Sequence, residues 1–174
     1  MRYVLVYGAI AGAIASAVIV ATIAFSLTNH TSSLWFGYLV MLAALSLIFV
    51  AVKRYRDVEC GGVIRFGRAF LLGLGIAVTA GIVYAAGWEI YQATSGYDFM
   101  ADYTNATLKH MHAEGASAAA LQAKAAEMRA MAVSYANPLF RIPMTFIEIF
   151  PVGLLVALVS AALLRNPRLL PARA

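Results

Sequence analysis

Four stretches of this sequence run the length of a membrane crossing, and together they meet a single charge. Positions 4–27, 34–52 and 69–88 hold no Asp, Glu, Lys or Arg, and positions 142–164 hold Glu148 alone. A helix rises ~1.5 Å per residue, so about 20 residues cross the ~30 Å hydrocarbon core of a bilayer. Runs of this length without alternation exclude barrel strands. The chain is 63% hydrophobic and 12% charged, against about 25% charged in a soluble domain, so water is the wrong solvent for most of its surface. The fold expected is all-α: a four-helix transmembrane bundle forming one integral membrane domain over positions 1–174. The first run far exceeds a signal peptide's apolar core of about 7–15 residues, and only Arg2 precedes it, so it is expected to be retained.

Orientation follows from the 13 Lys and Arg residues, which are retained on the cytoplasmic side. Arg2, Lys53, Arg54, Arg56, Arg65, Arg68, Arg165, Arg168 and Arg173 fall on one side of the four spans. Lys109, Lys124, Arg129 and Arg141 fall on the other, and the loop at 28–33 has none. Both termini are therefore expected in the cytoplasm, with a multi-pass chain. The net charge of +5 lies where anionic headgroups are, so lipid rather than nucleic acid is the implied partner. Lys53, Arg54, Arg56, Arg65 and Arg68 are read as headgroup contacts or as a docking patch for a cytosolic protein. Cys60 is the one cysteine, so neither a disulfide nor a cysteine metal site is available.

Between the third and fourth spans lies a segment too polar to cross. It reads as an external amphipathic helical hairpin over about 97–135, broken at Gly115. Phe99, Tyr103, Ala106 and His110 share one face of its first helix. Leu121, Ala125, Met128, Ala132 and Tyr135 repeat at helical spacing in its second. Asn137 and Pro138 can cap the return into the membrane, and Pro143 suggests a kink or a later start. Gly8, Gly12 and Ser16 in the first span, and Gly73, Ala77, Gly81 and Ala85 in the third, have the four-residue spacing that lets helices approach closely. They fit packing of the first span on the third, or a seam between two copies.

With these pieces placed, the chain resembles a bacterial membrane family, domain of unknown function four-one-nine-nine. The resemblance rests on "YGAIAGAI" at 7–14, "VAVKRYRD" at 50–57, "GGVIRFGRAF" at 61–70, "YAAGWEIY" at 84–91, "YDFMADY" at 97–103 and the long segment at 135–165. It implies an integral bacterial membrane protein of this size and transfers no activity; the location expected is the bacterial inner membrane.

Glu148 is the residue that most needs a reason. An ionised carboxylate at the bilayer centre costs about 3 kcal/mol on insertion scales. Pro151 lacks an amide proton, so the Ile147 carbonyl loses its helical donor. A carboxyl beside a freed carbonyl is either hydrogen-bonding glue between helices, a proton or ion site, or a contact for a partner. Counting depth along each span nominates Tyr84, Thr22 and Tyr38 as its polar neighbours, facing the bundle interior or a subunit contact. Arg141 lies seven residues earlier and offers a second possible reach. Glu89 and Arg141, at the outer ends of their spans, are expected to pair.

His110 and His112 point about 200° apart on a helix and cannot share an ion. Nucleophile–base pairs, zinc-protease spacing and phosphate loops are absent from the sequence. No metal, no cofactor and no enzymatic activity are expected. The reading is an accessory or scaffold membrane protein working through protein or lipid contacts, as a homo-oligomer or with another membrane protein. The alternative is a small proton- or ion-coupled carrier or channel subunit centred on Glu148.

Overall fold

The computed structural model describes residues 1–24 and 33–171. The end of the first expected span, most of the loop at 28–33 and Arg173 lie outside the described residues. The described residues form α1 (Arg2–Ala24), α2 (Ser33–Leu45), α3 (Leu47–Glu59), α4 (Phe66–Ser95), α5 (Phe99–Ala113), α6 (Ala118–Tyr135) and α7 (Pro138–Leu164), with no strand among them. Four segments are long and apolar enough to cross a membrane: Arg2–Ile23, Trp35–Glu59, Phe66–Ser95 and Pro138–Leu164. They correspond to the four apolar runs of the sequence, and three of the four are longer than those runs. The second comprises α2 and α3, interrupted at Ser46, whose hydroxyl donates to the Ala43 carbonyl at 2.6 Å. Such back-bonding competes with the helix ladder and bends it.

The ends of the helices have local causes. Gly96 takes a left-handed backbone (φ 65°) and stops α4, a conformation that glycine adopts without steric cost. α7 begins at Pro138 because the Asn137 side-chain oxygen accepts from the Leu139 amide at 3.0 Å. Pro143 therefore lies inside the helix, and the later start suggested by its ring does not occur: a side-chain cap and a proline at the first position outweigh it.

The chain divides into two compact units, Met1–Trp88 with Thr145–Ala174, and Glu89–Met144. In the first, α4 meets α1, α3 and α7, and small residues line two of its faces. A Cβ on Gly12 of α1 would stand 2.5 Å from the Ala80 carbonyl oxygen. A Cβ on Gly73 would stand 2.9 Å from that of Ala157 in α7, and one on Gly153 2.8 Å from that of Ala77. Backbones this close gain dispersion contacts, which hold helices together where lipid removes the hydrophobic drive. The Gly8–Gly12–Ser16 row does pack on α4. Its counterpart there is Ile76, Thr79, Ala80, Val83 and Gly87, however, while Gly73, Ala77 and Gly81 face α7.

In the second unit, Asp98 caps α5, accepting from the Ala101 amide at 2.9 Å. Ser117 caps α6, accepting from Ala120 at 3.2 Å. Phe99, at the start of α5, meets Tyr135, at the end of α6, with ring centroids 5.6 Å apart, so the two helices run antiparallel. On α6 the inward residues are those the spacing nominated. On α5 the inward face is Met100, Thr104, Leu108 and Met111, and Tyr103 and His110 are exposed. Phe99 stacks on Tyr103 at 5.8 Å as well as meeting Tyr135.

Candidate functional site

The inward stripe of α7 runs through Thr145, Ile149, Gly153, Ala157, Ser160, Ala161 and Leu164. The small residues in it mark the seam with α4, and they fix where every other α7 side chain points. Glu148 falls outside the stripe and is exposed, as are Ile147, Pro151 and Leu155. These residues form an outward face in which the carboxyl is the only ionisable group. Glu148 is ten residues, or ~15 Å, from the first residue of α7. Among the described residues its carboxyl has no hydrogen-bond or ion-pair partner.

Of the two placements expected for Glu148, the bundle interior is corrected and a subunit contact is left, and the expected polar cluster is not formed. Thr22 is buried, but its hydroxyl donates to the Val18 carbonyl of its own helix at 2.8 Å. Tyr38 is half exposed. Tyr84 is buried at 4% exposure and has a partner of its own. An open apolar crevice, lined by Ile14, Val18, Val40, Ala43, Ala44, Ser46 and Leu47, does not include Glu148.

Glu89 and Arg141 are brought together in a bidentate pair, Nε to Oε1 at 2.6 Å and Nη2 to Oε2 at 2.5 Å. Arg141 Nη1 also donates to the Tyr135 carbonyl at 3.2 Å, and its guanidinium lies 5.6 Å from the Tyr135 ring centroid. The planar fork matches a carboxylate and fixes its angle as well as its distance.

The basic cluster at the junction of the second and third spans behaves unevenly. Arg65 and Arg68 are exposed, and Arg68 donates to the Tyr55 hydroxyl at 2.5 Å. Arg54 reaches the Tyr7 hydroxyl at 3.5 Å. Lys53 pairs with Asp57 at 2.6 Å. Arg56 departs from the expectation of a headgroup contact: it is 0% exposed. Its Nε donates to Asp57 at 2.7 Å, its Nη1 to the Leu169 carbonyl at 2.9 Å and its Nη2 to the Leu170 carbonyl at 2.5 Å. Leu170 is the one non-glycine residue with positive φ (50°) among those described. The chain after α7 is thus bent back to present two carbonyls to a buried guanidinium. Reading the basic run as a solvated flank missed this. The available signal was phase, because Ile48, Val52 and Arg56 follow one another at four-residue spacing on the buried side of α3.

A family model described as a protein of unknown function (DUF4199) matches residues 6–166. Comparison with the curated proteins and with solved structures finds no match.

Proposed function

The chain belongs to the DUF4199 family, and from that premise we propose that it is a non-catalytic accessory or scaffold protein of the bacterial inner membrane. It works by docking the outward face of α7 onto another transmembrane helix that offers a hydrogen-bonding group at the depth of Glu148. One observation carries this reading: Glu148 lies on the outside of its unit, within an apolar span, without a partner among the described residues. Hydrocarbon cannot satisfy a carboxyl, whether neutral or ionised. A polar group on a neighbouring protein can, and interhelical hydrogen bonds are one of the forces that associate membrane helices. The exposed Arg54, Arg65 and Arg68 suit anionic headgroups at the cytoplasmic surface.

A photo-reactive amino acid at Leu155, on the Glu148 face, tests the reading in native membranes. Leu71 on α4, 66% exposed, serves as the control. Protein adducts are expected at 155 and lipid adducts at 71, with the protein adducts reduced in Glu148→Leu. Lipid adducts alone at 155 would end the proposal.

A further inference from the structure

The reading above leaves the partner open, and the chemistry of the same face selects one. The face carries a donor and an acceptor side by side. Pro151 has no amide proton to give the Ile147 carbonyl, and the neighbouring residue is Glu148, whose neutral carboxyl both donates and accepts. An unrelated apolar helix would answer neither group. A second copy answers both. Two copies in one membrane share an orientation, so a two-fold axis along the membrane normal brings each residue opposite its equivalent at equal depth. A two-fold contact is self-complementary: what one copy offers, the other receives.

We propose that the occupant of the α7 outward face is a second copy of this chain, with Glu148 of each copy hydrogen-bonded to Glu148 or to the freed Ile147 carbonyl of the other. The proposal rests on the docking role proposed above and names its partner. Ile147, Leu155 and Val159, which are 64%, 59% and 49% exposed, supply the apolar surround that excludes lipid from the polar pair. Glu148, Pro151 and Leu155 continue at three- and four-residue spacing along one side of the helix, the pattern of a helix–helix seam. The Gly8–Gly12–Ser16 row is not available for this seam, because it is occupied by α4.

The test uses the full chain in native membranes, with Cys60→Ser as background and single cysteines introduced by Leu155→Cys, Ile147→Cys or, as control, Ile82→Cys. Ile82 lies on α4 and is 59% exposed. Two differently tagged copies are co-expressed and oxidised. Disulfide-linked pairs containing both tags are expected at positions 147 and 155 and not at 82. Adding Glu148→Leu should lower the association constant about eightfold, the effect of two reciprocal interhelical bonds of average strength. Adding Glu148→Gln, whose amide still donates and accepts, should leave most of the association in place. Three results would overturn the inference. Pairing at 82 but not at 155 would place the two-fold seam elsewhere. Photo-adducts to a different protein at 155, without mixed-tag pairs, would preserve the docking role and reject the second copy. Lipid adducts alone at 155 would reject both.

Discussion

Replacing Arg56 with Met keeps the length and apolar stem of the side chain and removes its guanidinium. Breaking a buried ion pair from one side costs about 3–5 kcal/mol, because the remaining partner stays buried without a counter-charge. Two features of this site reduce that figure. Asp57 retains Lys53 at 2.6 Å. Leu169 and Leu170 are 36% and 50% exposed, so water can reach the carbonyls that Arg56 releases. Leu170 is also free to leave its left-handed backbone, which returns about 1–2 kcal/mol of strain. The net loss expected for Arg56→Met is therefore about 2 kcal/mol, with the tail after α7 released. Arg56→Lys should fall between, since a single ammonium cannot serve Asp57 and both carbonyls with the geometry of a fork. Thermal unfolding in mild detergent measures the first quantity, and limited proteolysis of a tag placed after residue 174 measures the second. If Arg56→Met lies within about 0.5 kcal/mol of the wild type, with the tail equally protected, the clamp contributes nothing and the argument is refuted.

The Glu89–Arg141 pair, with side chains 22% and 15% exposed, should show a coupling of about 1–2 kcal/mol in a double-mutant cycle of Glu89→Gln with Arg141→Lys; additive effects would mean that the pair is geometric only. Burial, and secondarily the Asp102 carboxylate, push the Tyr97 phenol up to about 12 from 10.0. Its neutral form is therefore favoured in the folded chain, and its contribution is complete below pH 10 and lost as pH rises toward 12. Screening at this partly exposed site limits the contribution to about 1 kcal/mol or less, so wild type should lose stability relative to Tyr97→Phe over that window; parallel curves would contradict it. For topology, Ala120→Cys in a Cys60→Ser background should react with a membrane-impermeant reagent from outside the cytoplasm, and labelling from the cytoplasmic side alone would reverse the orientation.

The spans were legible because a run of about 20 uncharged residues has one low-energy solution in a bilayer. The Asn137–Pro138 start of α7 and the inward face of α6 were equally readable, the first from a side-chain cap and the second from helical spacing. For Glu148 the sequence left the bundle interior and a subunit contact both open, and the interior branch followed a general rule, that polar groups in a span face inward. The α7 sequence contains the contrary evidence: Gly153, Ala157 and Ala161 define the seam, and their spacing extends back to Ile149 and Thr145, one residue beyond and three short of Glu148. The same competition hid Arg56, where the tendency of basic residues to flank a span concealed the phase set by Ile48 and Val52. The inward face of α5 was obscured by its aromatics: Phe99 does meet α6 through Tyr135, but Tyr103 is exposed while Met100 is buried. Which helix a glycine row meets depends on the arrangement of all the spans, and α4 has small residues on two sides.

The most direct test of the account is the mass of the particle that carries this chain, measured by native mass spectrometry on protein released straight from membrane vesicles. Wild type and Glu148→Gln are expected to leave the membrane as two chains, and Glu148→Leu, with an association constant about eightfold weaker, with a larger share of single chains. A wild-type particle containing a single chain and no other protein, indistinguishable from Glu148→Leu, would contradict the claim that the Glu148 face is an interface.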